Sequence, residues 1–317
     1  MFPAVINNKF TKKPSSVGII PTSYSGGQKK SGVDIAPAEM IKAGLVEQIE
    51  KMGYKTELLE NIDCSTLKPE VETLVEGSSA VNLVWTSNVA SYHADRVEEQ
   101  CRKGNFALSI GGDHSLGFGT ITGSSRVYGD DLCVIWVDAH TDINTLKTTD
   151  SGNLHGCPVS FVLGIDSHPA YDWLKPIVKK NRFVYIGLRD IDFEERKIVK
   201  DNNIKAFTMH DVDKYGIGAV VQKALDYVNP NLDLPIHLSI DVDAMDPSVA
   251  PATGTPVRGG LTFRECHYLC EAIAETNCLV ALDVVEVNPL LGDKIAFDQT
   301  VAVGNSVIRC ALGETLL

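Results

Sequence analysis

Long apolar runs are missing from this chain. No stretch approaches the roughly 18 apolar residues that span a bilayer, so neither a membrane-crossing helix nor a membrane partner is expected. Concentrated basic residues are missing too. Lys and Arg number 29 against 41 Asp and Glu, a formal charge of −12. Phosphate contacts need clustered cations, so no nucleic-acid partner is expected. The eight cysteines (64, 101, 133, 157, 266, 270, 278 and 310) form no CxxC pair, and no secretory leader is recognised. Free thiols in a reducing cytoplasmic compartment are the expectation. Acidic residues are absent before Asp34, while Lys9, Lys12, Lys13, Lys29 and Lys30 precede it, a faint likeness to a mitochondrial transit peptide. A Val17-Gly18-Ile19-Ile20 strand begins too early to favour that reading. Residues 1–16 are expected to be a poorly ordered extension, and 17–317 a single catalytic domain, since no biased linker or internal repeat interrupts them.

What is present is an ordinary globular composition, 44% hydrophobic and 22% charged. Short β-branched apolar runs predict strands at 17–21, 55–59, 106–110, 132–137, 183–187, 204–207, 236–240 and 279–287. Helices are predicted at 37–51, 92–103, 170–180, 215–228, 262–276 and 297–312, with Pro37 in a first turn and Thr262/Glu265 as a capping box. This alternation implies an α/β fold of three layers, α/β/α, around a mostly parallel sheet. Ligands in such sheets bind beyond the carboxyl ends of the strands.

Chemistry-bearing residues collect at those ends. The run 132–137 leads into Asp138-Ala139-His140-Thr141-Asp142, and spacing-two residues on extended backbone point to one side. Gathered buried carboxylates are costly unless a cation compensates them. Strand 106–110 runs into Gly111-Gly112-Asp113-His114-Ser115, and 236–240 into Asp241-Val242-Asp243 and then Asp246. The last strand carries Asp283 and ends at Glu286. Singly, His114 also reads as a structural histidine and Asp246 as a turn residue. Together, four carboxylates and two imidazoles without thiolates favour a hard ion such as Mn²⁺, and their number favours two ions sharing bridging carboxylates.

The segments Gly-Gly-Asp-His-Ser (111–115), Val-Asp-Ala-His-Thr-Asp (137–142) and Ser-Ile-Asp-Val-Asp (239–243) resemble the metal signatures of the ureohydrolases. Ile143-Asn144, Ser151-Gly152-Asn153-Leu154-His155-Gly156, Gly187-Leu188-Arg189-Asp190-Ile191-Asp192 and Ala252-Thr253-Gly254-Thr255-Pro256 resemble arginase in particular, from about Val17 to Cys310. The resemblance implies an eight-stranded parallel sheet and a binuclear manganese site. His114, Asp138, Asp142 and Asp241 would hold one ion, and Asp138, His140, Asp241 and Asp243 the other. It implies hydrolysis of L-arginine to L-ornithine and urea by a hydroxide bridging the ions. Asp142 would also accept a hydrogen bond from that nucleophile. Glu286 would pair with the guanidinium, and His155 would move protons. Asn144, Thr149 and Ser151 would meet the α-carboxylate and Asp192 and Glu195 the α-ammonium, with Thr255 also in the substrate site.

Departures from the family pattern are Leu146, Lys147 and Asp150 in the substrate loop, Cys157 beside His155, and Phe193-Glu194 ahead of Glu195. Cys157 reads either as a packed thiol or as a reactive one. The chain ends at Leu317, short of the tail that helps join subunits in several arginase trimers; a homotrimer is still the expected assembly. Two other functions stand beside this one: hydrolysis of another guanidino compound such as agmatine, and a non-catalytic relative used for binding or regulation.

Overall fold

The computed structural model describes residues 7–13, 15–73 and 75–315. In chain order the elements are β1 (Ser16–Pro21), α1 (Ala36–Lys42), α2 (Leu45–Lys51), β2 (Lys55–Leu58), α3 (Leu83–Arg102), β3 (Phe106–Ile110) and α4 (Gly117–Tyr128). There follow β4 (Cys133–Val137), α5 (Pro158–Val162), β5 (Phe183–Leu188), α6 (Phe193–Asp201), β6 (Lys205–Thr208), α7 (Met209–Tyr215) and α8 (Ile217–Val228). The last are β7 (Ile236–Asp241), α9 (Phe263–Glu275), β8 (Leu279–Val285) and α10 (Lys294–Ala311). The strands form one eight-stranded sheet in the order β2-β1-β3-β8-β7-β4-β5-β6. Every pairing is parallel.

Each predicted strand is present within a residue or two. The inner strands are apolar on both faces because both faces are covered. On one side Ile19, Ile135, Leu238 and Leu282 pack with α1, α2 and α7–α10. On the other, Ile20, Val134, Trp136 and Val280 pack with α3–α5, and with Ile198 and Val199 of α6.

The helices depart further from expectation. The segment 37–51 is two helices, because Gly44 takes φ +88°, outside helical geometry. Helix α3 begins at Leu83, nine residues before the predicted start at 92. Residues 170–180 hold no α-helix, only a 3₁₀ turn at Pro169–Tyr171 and the start of another at Lys180–Arg182. Pro176 offers no N–H and disfavours helical geometry at the residue before it. Tyr171 and Leu174 are instead buried under the sheet. Helices α4, α5, α6 and α7 were not anticipated. Of the expected N-terminal extension, residues 1–6 and 14 lie outside the described residues. Residues 8–12 are tied down: Asn8 Nδ2 donates to Leu279 O at 2.5 Å, Lys9 N to Asn277 O at 2.9 Å and Lys12 N to Gly104 O at 2.8 Å. Among the described residues no helix is long and apolar enough to cross a membrane.

Candidate metal centre

The strands expected to deliver ligands, β3, β8, β7 and β4, are consecutive neighbours in the middle of the sheet. Their carboxyl ends open on one spot. His114 sits in the 3₁₀ turn after β3, with its ring stacked on Trp136 of β4 at 3.9 Å between centroids. Its Nε2 meets Ser239 Oγ of β7 at 2.9 Å, which directs Nδ1 outward. That Nδ1 lies 3.0 Å from Asp138 Oδ2, 3.2 Å from Asp142 Oδ2 and 3.4 Å from Asp241 Oδ2. One ring N–H does not serve three carboxylates, so the convergence is that of donors around a common centre.

A second group adjoins the first. His140 Nδ1 is 3.4 Å from Asp138 Oδ1 and 3.2 Å from Asp243 Oδ2. Asp138 therefore faces one imidazole with each oxygen. Ligating atoms of His114, Asp138 and Asp241 lie within 4.8 Å of one another, as do those of Asp138, His140 and Asp243. The carboxylates are held in place by their own loops: His140 N donates to Asp138 Oδ1 at 2.7 Å, and Asp243 N to Asp241 Oδ1 at 2.7 Å. Arg189, after β5, donates to the carbonyls of Asp243 and Val257 and pins the loop that carries Asp243.

The electrostatics call for a cation. Burial, then the charges of Asp243 and Asp138, push Asp241 well above the carboxylate range. Burial and Asp138 push Asp142 up to about 7. Burial also opposes charge on Asp138, but hydrogen bonds from His114 and His140 outweigh it and hold its pKa low. Buried acids that repel one another while facing two imidazoles fit a divalent cation. Asp142 itself takes φ +47°, a left-handed geometry that non-glycine residues adopt at a cost.

Beside this centre lies a cleft of about 130 Å³ lined by His140, Asp142, Asp241 and His155 and by all six expected substrate residues, Asn144, Thr149, Ser151, Asp192, Glu195 and Thr255. Asn144 Oδ1 accepts from Thr148 Oγ1 at 2.8 Å, which leaves its Nδ2 hydrogens for a ligand. Thr255 spends its hydroxyl proton on Asp243 Oδ2 at 2.8 Å, so it steadies a metal-site carboxylate from the cleft wall. Glu195 is drawn into a capping box at the start of α6. Its Oε2 accepts from Asp192 N at 3.0 Å, and its Oε1 faces Ile143 N at 3.4 Å. Asp192 is the N-cap of that box, its side chain accepting from the N–H of Glu195, and both acids line the cleft.

His155 faces the cleft, and its Nδ1 lies 3.0 Å from Glu286 Oε1. Burial disfavours its charge, but the Glu286 contact outweighs burial and its pKa rises to about 9. Glu286 directly follows β8 and adjoins His155. It is fully buried, its oxygens engaged by His155, the N–H of His114 and Gln28. Glu286 thus partners His155 and lies outside the two acid–imidazole groups. Asp283 is not part of the cluster either; it pairs with His237 at 2.9 Å and Thr120 at 2.6 Å. Asp246 is a turn residue, accepting from the N–H groups of Ser248 and Gly259. Cys157 is fully buried with its thiol pKa raised, first by burial and then by Asp142, which fits a packed thiol. Residues missed from the sequence include Ser239, which orients His114, and Asn153, whose buried Oδ1 is unpartnered at the cleft. Both lie inside the quoted motifs, where position alone did not separate them from their neighbours.

Residues 15–313 match the model of the arginase family. The chain belongs to the arginase family. It is 54% identical to an arginase of Glaciozyma antarctica over 97% of this chain and 90% of that one. Among solved structures, the arginase of Bacillus cereus superposes with TM-score 0.86 and 34% identity over 96% of this chain and all of the other. An Entamoeba histolytica arginase in complex with L-ornithine gives TM-score 0.84 and 29% identity over 95% of this chain and 99% of that one. This is a ureohydrolase-family enzyme, and its central acid–imidazole cluster could hold a metal ion.

Proposed function

We propose that this arginase-family enzyme hydrolyses L-arginine to L-ornithine and urea, using two manganese ions. His114, Asp138, Asp142 and Asp241 would hold one ion; Asp138, His140, Asp241 and Asp243 would hold the other. The observation that carries this reading is the two-faced Asp138, one oxygen toward each imidazole, at the edge of a cleft lined for an amino acid. When bound, such ions supply hydroxide from a shared water near neutral pH.

The chain's own residues do the rest. Guanidinium stays charged near neutral pH, so the site must hold it against a strong nucleophile. Asp142 reaches both the metal cluster and the cleft, and can accept a hydrogen bond from the attacking group. His155 engages Glu286 through Nδ1, which turns its other nitrogen toward the cleft, where the leaving amine needs a proton. Asn144, Thr149 and Ser151 present neutral donors suited to an α-carboxylate, and Asp192 an acid suited to an ammonium.

His155→Asn is expected to keep its bound manganese and lose at least about tenfold in turnover; unchanged turnover removes His155 from the mechanism. Asp192→Ala is expected to raise KM for L-arginine by roughly 10–100-fold, the worth of a charge-assisted hydrogen bond. An analogue with hydroxyl in place of the α-ammonium should be affected far less, and equal losses on both would count against this role. The whole reading is tested by urea release from L-arginine and agmatine, with and without added manganese. A preference for agmatine overturns the substrate, and no hydrolysis of either by loaded protein overturns the activity. A cytoplasmic homotrimer belongs to the same proposal, and sedimentation of the purified protein tests the assembly.

A further inference from the structure

We infer that Gln28 is a positioning residue of this enzyme, acting through Glu286 on His155; the inference rests on the hydrolytic role proposed above. Gln28 lies in the loop from β1 to α1 and is 8% exposed. Its Nε2 donates to Glu286 Oε2 at 2.7 Å. A carboxylate only accepts, so the amide must turn its nitrogen to Glu286. The other oxygen, Oε1, accepts from His114 N at 2.9 Å and meets His155 Nδ1 at 3.0 Å. Three chain donors thus hold one fully buried carboxylate, and Gln28 is the only one of them on Oε2 among the described residues. Glu286 is itself held in the left-handed region, φ +64°, with its N–H donating to Gly112 O at 3.0 Å. The backbone that presents this acid is therefore set, and the remaining freedom is rotation of the carboxylate. Gln28 removes that freedom.

The residues on either side of Gln28 grip neighbouring parts of the site. Gly27 O accepts from His155 N at 3.0 Å, while Gly27 N donates to Asp113 Oδ2 at 2.9 Å. Lys29 Nζ donates to Ser151 O at 3.0 Å, and Lys30 Nζ donates to Gly254 O. Four consecutive residues therefore hold the His155 backbone, its partner acid, the Ser151 loop and the loop ahead of Thr255. Within this clasp Gln28 alone touches the acid that orients the His155 ring. Without its donor, Oε2 becomes an unpaired buried acceptor. The carboxylate then turns to seek a partner, and Oε1 loses its set geometry toward His155. The ring nitrogen facing the cleft moves with it, and small misplacements of a reacting group are costly.

Gln28→Met keeps length and removes the donor; Gln28→Glu keeps shape and sets an acceptor against Glu286. Both are compared with the parent as manganese-loaded enzyme. The expected result for Gln28→Met is a kcat lower by about tenfold, with KM for L-arginine within about twofold and manganese content unchanged. Gln28→Glu should fall further. A readout independent of turnover is the carbethoxylation rate of His155 by diethyl pyrocarbonate, followed by peptide mass. It should rise several-fold in both variants as the ring loosens. Unchanged kcat with unchanged His155 labelling overturns the inference, as does a kcat that falls only in step with manganese loss. If Gln28→Met does not fold, Gln28→Glu, which keeps the polarity of the site, decides by the same criteria. A parent that releases no urea defeats the arginase reading instead, and the labelling comparison still decides whether Gln28 holds His155.

Discussion

An Asp138→Asn enzyme is expected to bind fewer than two manganese ions per chain and to lose more than about a hundredfold in urea formation, beyond what outer-sphere partners of a metal site are usually worth. Asp138 has no exposed surface, and its two oxygens face His114 and His140 at 3.0 and 3.4 Å. Its orientation is set by Trp136 Nε1, which donates to Oδ2 at 3.0 Å, and by His140 N, which donates to Oδ1 at 2.7 Å. Asparagine would fill the same space, but one acceptor becomes an NH₂ group. Whichever way the amide turns, that group confronts a backbone or indole N–H and presents hydrogens to a cation. Metal analysis of the purified variant beside a urea assay checks this. Full metal content with parental activity would show that the two groups of ligands do not share this carboxylate.

Gly119→Ala is expected to destabilise the fold by about 3 kcal/mol, at the upper end of the usual cost of overpacking. An added Cβ would lie 2.2 Å from Ala90 O and 2.9 Å from Ala90 C. These are backbone atoms of α3, so no side chain can swing away, and α3 and α4 would have to separate. Thermal or denaturant unfolding measures the loss, and a change below about 1 kcal/mol, within the ordinary range of point substitutions, would show that the crossing can relax.

That contact also explains why α4 was not legible. Gly117, Gly119 and Gly123 lie within its twelve residues, and glycine disfavours a helix by about 1 kcal/mol relative to alanine. Read locally, the segment is a loop. In the fold, the close approach of α3 to Gly119 and Gly123, and of Trp136 to Gly117, requires small residues there, and packing overrides propensity. Helix α6 was missed for a different reason. Asp192 and Glu195 read as ligands for an ammonium, although the same spacing is a helix start, and in the structure Glu195 serves the cap.

The chain alone determined the eight strands and the gathering of acids and imidazoles at their ends. A covered parallel strand must be apolar throughout, and a spacing-two run beyond it points one way; both are local properties. Only the tertiary structure decided which strands lie side by side, and so that β3, β8, β7 and β4 bring their ends together. It also decided that Glu286 meets His155 and that Gln28, 258 residues away in the chain, bonds to the same carboxylate. Contacts between residues that far apart depend on how the layers close over the sheet, and no short stretch of sequence records that.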